Sequence, residues 1–255
     1  MQFDLKSAVS HWKELKDTIC TIGLVTKTDF KLEDIHGVIK EVQELFPQLT
    51  DFKLEDDEKT YLLKNEKTMV ERRMLFKIDK FRIINLAWDI QVDFPDKELI
   101  RKLFKIIEEK SDIEPLFLEY IDFKFATYSY KNVNHYNVIR DTFFNSSPLK
   151  TFFDGYRIFN NDVSGKAYID YIRACAISIA SNVSSEEVLQ NVYQRDTLIA
   201  QIGVVQTRGF TEPDFNLSEN VIENIEIASE IISKKFIPYV LNPLDENLFK
   251  EKAEE

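Results

Sequence analysis

The chain has 255 residues, 44 % of them apolar and 13 % aromatic, enough to fill a core and to exclude global disorder. Six glycines and seven prolines exclude collagen-like and low-complexity classes. A net charge of −11, from 33 basic and 44 acidic residues, works against any general attraction to nucleic-acid phosphates.

The start, Met1-Gln2-Phe3-Asp4-Leu5-Lys6, lacks the basic segment and apolar run of a secretory signal. No stretch reaches the roughly 18–20 apolar residues needed to span a bilayer. A cytoplasmic protein without membrane contact is expected, with Cys20 and Cys175 as free core thiols in a reducing compartment.

Thr18 to Val25 is β-rich and predicts a strand. Leu32, Ile35, Ile39, Val42 and Phe46 recur at spacings of three and four, which predicts a helix stopped at Pro47. Asp51 to Glu58, with five acids and one lysine, reads as a loop. Arg72–Ile78 and Phe81–Ala87 flank Asp79-Lys80 and predict a hairpin. Asp96 is placed to cap a helix that buries Leu99, Leu103, Ile106 and Ile107.

From Leu116 the period changes to two. Phe117, Ile121, Phe123 and Phe125 alternate with Tyr120, Asp122, Lys124 and Tyr128, as in a strand with one buried face. A short helix is expected over His135–Phe144, then strands at Tyr156–Phe159, Tyr168–Ala180 and Thr197–Thr207. Ser218 is read as the cap of a closing helix that ends at Pro238, and Asp245 to Glu255 as a solvated acidic tail of net charge −3.

These elements predict an α+β fold of antiparallel sheets covered by helices. Residues 18–110 and 116–237 each read strand, helix, three strands, helix, so the expectation is two βαβββα halves related by a pseudo-two-fold duplication. The expected division is an N-terminal half (1–112), a C-terminal half (113–244) and the tail (245–255).

The motifs of common enzymes are missing: no phosphate-binding glycine loop, no His-Glu-x-x-His, no Cys-x-x-Cys and no Gly-x-Ser-x-Gly. No cofactor or resident metal is expected. His11, His36 and His135 lie apart from one another and from the cysteines. One enzymatic alternative stands. Asp96 with Asp122 and Lys124 echoes the spaced acids and the Asp-x-Lys of metal-dependent nucleases, in which carboxylates hold Mg²⁺ and the lysine steadies water. Against it, Asp96 reads better as a helix cap, and a helix separates it from Asp122.

Two features point instead to binding. Lys64, Lys67, Arg72, Arg73, Lys77, Lys80 and Arg82 give the hairpin a local net charge of +4 after Glu66, Glu71 and Asp79. Arg72, Arg73, Lys80 and Arg82 are its candidate contacts, with nucleic acid a disfavoured ligand. Aromatic residues cluster further on: Tyr120, Tyr128, Tyr130 and Tyr136 lie near Tyr156 and near Phe143-Phe144 and Phe152-Phe153, which surround the turn Ser146-Ser147-Pro148; any that are exposed would suit a protein partner. A small-ligand pocket lined by Tyr128, His135 and Tyr171 is a third reading.

Phe46-Pro47 at a helix end, the central strand Glu119-Tyr120-Ile121-Asp122-Phe123-Lys124-Phe125, and Ala228 with Lys235-Phe236 in the closing helix carry a resemblance. The chain resembles a sporadically distributed bacterial family of unknown function. It departs from that family at Asp122 and Lys124, which stand where an arginine and an asparagine are typical. The resemblance implies no catalytic residues. It implies an accessory or regulatory role beside mobile or antiviral defence genes. The expectation is thus a non-enzymatic interaction subunit whose partner is another protein encoded nearby, with a homodimer as a further possibility.

Overall fold

The computed structural model describes residues 15–26, 36–47, 49, 51–54, 61–64, 74–78, 83–89, 96–110, 116–127, 135–143, 156–159, 162–169, 173–180, 199–206, 216–244 and 246–247. In chain order these form β1 (Leu15–Thr26), α1 (His36–Leu45), β2 (Asp51–Leu54), β3 (Tyr61–Lys64), β4 (Met74–Ile78), β5 (Ile83–Asp89) and α2 (Lys97–Lys110). Then follow β6 (Leu116–Thr127), α3 (His135–Phe143), β7 (Tyr156–Phe159), β8 (Asp162–Tyr168), β9 (Arg173–Ala180), β10 (Ile199–Gln206) and α4 (Leu217–Ile231), which passes into a π-helical segment, Ile232–Leu241. The fold is α+β with antiparallel strand pairing, as the period-two and helical patterns predict.

Strand, helix, four strands, helix occurs twice, one strand more in each round than the sequence pattern predicts. In the first round the acidic stretch after Pro47 contains β2, which pairs antiparallel with β3. Its few residues are too short to show alternation, and pairing supplies what local pattern lacks. In the second round Tyr168–Ala180 is not one strand. Tyr168 ends β8, and a turn closed by Ile169 N–H donating to Arg173 O at 2.9 Å leads into β9. The hairpin of β4 and β5 forms as expected, with Phe76 opposite Leu86.

The chain divides into two compact units. Unit 1 comprises residues 1–2, 19–121 and 208–226, and unit 2 comprises 3–18, 122–207 and 227–255. In unit 1 the strand order is β2-β3-β4-β5-β1-β6; in unit 2 it is β6-β10-β9-β8-β7.

In unit 1, Cys20, Ile22 and Leu24 of β1 are fully buried and stand opposite Trp88, Leu86 and Ile84 of β5. Opposite residues of an antiparallel pair share a face. Following the register outward, that face continues through Met74, Phe76 and Ile78, then Tyr61 and Leu63, then Phe52 and Leu54. Every position on it is apolar. Its helical partners follow the same logic. In α1 Val38, Ile39 and Val42 are buried, and the helix closes with Phe46 N–H donating to Val42 O at 2.8 Å, before exposed Pro47. In α2 the Asp96 carboxylate accepts Leu99 N–H at 2.8 Å, an N-cap as expected. The fully buried stripe of α2 is Ile100, Leu103, Phe104 and Ile107, with Leu99 and Ile106 half-buried at its margin.

In unit 2 the buried face runs from Phe123 and Phe125 of β6 through Ala200, Ile202 and Val204 of β10 to Cys175, Ile177 and Ile179 of β9. Buried Phe236 meets Phe125 there, ring centroids 5.6 Å apart. The closing helix differs from expectation at both ends. Asn216, not Ser218, caps it: the Asn216 Oδ1 accepts Glu219 N–H at 3.3 Å and the Ser218 hydroxyl at 2.9 Å. Nor does Pro238 end it. The backbone continues in π register to Leu241, with Asn242 N–H donating to Ile237 O. The wider turn accommodates a ring that an α-helix would press against the carbonyl four residues back. The acidic tail also begins later than predicted. Leu244 is buried, and Asn247 Nδ2 donates at 2.8 Å to the Thr142 hydroxyl, itself donating to Val138 O.

Candidate interaction surface

The alternation that buries one sheet face defines the other. In unit 2 the register aligns Gln201 of β10 with Ser178 of β9, Ser178 with Ser164 of β8, and Ser164 with Arg157 of β7. Gln201 Nε2 in turn donates to the carboxylate of Asp122 on β6. A polar row, Asp122, Gln201, Ser178, Ser164 and Arg157, thus crosses the five strands of the unit. Asp122, Gln201 and Ser178 are half-buried. Beside this row β9 carries small residues of the same parity, half-buried Ala176 and fully buried Ala174, so the face is covered at Ala174.

The corresponding face of unit 1 carries Thr21 and Gly23 of β1 opposite Ala87 and Asn85 of β5. Tyr120 of β6 lies over Gly23. Leu118, of the same parity as Tyr120, is only 3 % exposed, so this face is covered at that point.

On α2 and α4, within unit 1, charged side chains pair. Arg101 binds Glu219 through two hydrogen bonds, Nε to Oε1 at 2.6 Å and a terminal guanidinium nitrogen to Oε2 at 3.3 Å, and Lys97 pairs with Glu226. The Arg101 bond holds the Glu219 carboxyl below the usual carboxylate range. Glu108 near the end of α2 moves the opposite way, raised by desolvation although it accepts Leu217 N–H. Burial pushes the Cys175 thiol up to about 12, and Cys20 and Cys175 are both buried thiols outside any disulfide, as predicted.

The predicted site residues fall on different elements. Asp96 is the exposed N-cap of α2 in unit 1, whereas Asp122 belongs to unit 2 and bonds Gln201; Lys124 lies two residues further along β6. Among the described residues no group of three His, Cys, Asp or Glu side chains converges on a metal-sized site. Phe143 is fully buried at the end of α3 and belongs to the core. His135 opens α3. Arg72, Arg73, Lys80, Arg82, Tyr128, Phe144, Phe152, Phe153 and Tyr171 lie outside the described residues. Sequence reasoning missed Gln201 and Ser178. Their signal was present as the off-beat polar positions of two apolar strands, but only strand pairing joins them.

No protein-family model and no curated protein matches the chain. Among solved structures, the rolling circle replication initiator protein from Geobacillus stearothermophilus is 10 % identical, with a TM-score of 0.31 over 85 % of this chain and 78 % of that one. The TBP of Methanococcus jannaschii is 8 % identical, with a TM-score of 0.25 over 85 % of this chain and 97 % of that one. Such slight likenesses assign neither a family nor a function.

Proposed function

We propose that this protein is a non-enzymatic, cytoplasmic interaction subunit that docks protein surfaces on the faces of its sheets opposite the buried ones, as an accessory component of a bacterial antiviral defence system. The observation that supports the docking reading is the polar row Asp122, Gln201 and Ser178 in unit 2, whose side chains are half-buried on the sheet face opposite the apolar one. Short polar side chains offer donors and acceptors without bulk, as the moderately polar interfaces of non-obligate complexes require. The defence setting rests on the family resemblance of the central strand and closing helix.

The test is affinity capture from the native host with the full chain, two face variants, Asn85→Arg and Ser178→Arg, and the helix-surface control Lys102→Glu. A host protein held in fixed ratio by the wild type and by the control, and lost with at least one face variant, is the expected outcome. Capture unchanged by both face variants defeats the reading. So does Mg²⁺-dependent cleavage of DNA that disappears with Asp122→Asn, which establishes the nuclease alternative instead.

A further inference from the structure

We propose that the carboxamides of Asn220 and Asn224, on the part of α4 that belongs to unit 1, hold internal water. The site is independent of the docking reading. At about 100° per residue, Asn224 lies about 20° around the helix from Leu217 and about 40° from Ala228, and like both of them it is buried. Val221 and Ile225 complete this inward stripe, whereas Glu219, Glu223, Glu226 and Glu230 form the exposed side. The Asn224 amide thus points into the core. Asn220, one turn earlier, is half-buried, but its Nδ2 is shielded from solvent.

The two side chains satisfy each other only in part. Asn224 Nδ2 donates to Asn220 O at 2.8 Å and to Asn220 Oδ1 at 2.9 Å. Asn220 Nδ2 and Asn224 Oδ1 are left over, both buried and neither with a hydrogen-bond partner among the described residues. Reorienting the amides does not remedy this. Turning Asn224 sets its oxygen against the oxygens of Asn220, and turning Asn220 alone sets nitrogen against nitrogen. Turning both still leaves one nitrogen and one oxygen without a partner. Folded proteins pair nearly all such buried groups, using ordered water where no protein atom is in place.

The leftover atoms also define what they bind. The molecule must accept from Asn220 Nδ2 and donate to Asn224 Oδ1. An anion has no proton for the oxygen, and a metal cation has no lone pair for the N–H. Water does both, and it is small enough to sit beside a side chain with no exposed surface. Covalent geometry sets the reach. Oxygen and nitrogen of one carboxamide are about 2.3 Å apart. Through the bond at 2.9 Å that joins the amides, the two atoms therefore lie within about 7.5 Å of each other, a span that one water or two in file can bridge.

Water-selective Overhauser spectra of the isotope-labelled full chain test the assignment. Cross-peaks between the Asn220 side-chain amide protons and bound water are expected, told from proton exchange by their opposite sign in the rotating frame. Asn224→Leu removes the acceptor, continues the apolar stripe and abolishes those cross-peaks, while the exposed-side control Glu223→Gln keeps them. A wild-type chain without the contact overturns the inference, and so does a contact that survives Asn224→Leu, since water is then held by other groups. Where Asn224→Leu fails to fold, as judged by circular dichroism, a high-resolution crystal structure of the wild type decides. Ordered water bonded to Asn220 Nδ2 and Asn224 Oδ1 is the expected result, and a protein atom bonded to either of them, or a dry contact, overturns the site.

Discussion

The ring of Tyr120 fills the space that a side chain on Gly23 would need: a Cβ there would stand 2.8 Å from Tyr120 Cδ1 and closer still to two other ring carbons. Gly23→Ala therefore overpacks the site and costs about 1–3 kcal/mol, read as a lowered urea midpoint. In a Tyr120→Ala background the same change reverses sign and stabilises by about 0.4–1 kcal/mol, because it then acts only by restricting the unfolded chain. Equal effects in both backgrounds would show that the ring does not select the glycine.

Phe236 is fully buried against Phe125 within the π-helical segment. Phe236→Ala is expected to cost about 3–5 kcal/mol in equilibrium unfolding. A loss below about 1 kcal/mol would mean that the segment packs loosely, against its buried neighbours Ile232, Ile237, Val240 and Leu241.

Arg101 and Glu219 are solvent-exposed, so their pairing responds to salt and pH more than it fixes stability. The Glu219 carboxyl is lowered by its bond to Arg101, so its contribution is present above the ordinary carboxylate range and is lost as pH falls through the lowered value. Glu108 has the opposite sign. Its carboxyl is raised by desolvation, so stability falls as pH climbs from the ordinary value through the raised one. Thermal melts between about pH 3 and pH 7 should show Glu219→Gln flattening the acid-side loss. Glu108→Gln should remove the decline toward neutrality. In about 1 M salt the Glu219→Gln difference should vanish, since the Debye length is then about 3 Å.

The Cys175 thiol, pushed up to about 12 by burial, is protonated at neutral pH and shielded from reagents. Cys20 is fully buried as well. Neither should react with a water-soluble disulfide reagent at pH 8 in the native protein, and both should react in denaturant. Rapid native labelling of either would contradict their placement in the core.

Much of this fold was legible as local pattern. Apolar residues at spacings of three and four announced α1, α2 and α4, and the Asp96 cap followed from a short carboxylate ahead of an apolar run. Alternation in 116–125 told which face of β6 would be buried, and Ile121, Phe123 and Phe125 are buried. Short strands were harder. β2 has four residues, and β8 carries glycine, serine and lysine among its apolar positions, so neither shows a periodicity strong enough to stand without its partner strands. Pro238 misled because a proline normally ends an α-helix, whereas here the backbone continues through it in π register to Leu241.

By itself, then, the sequence determined which residues turn inward, since burial of apolar area follows a period that is written locally. Tertiary structure alone decided which outward residues meet. Asp122 and Gln201 are 79 positions apart, and Arg101 and Glu219 are 118 apart. Such pairs arise from strand order, register and helix packing, which depend on the sum of many distant contacts and leave no trace in the spacing of neighbouring residues.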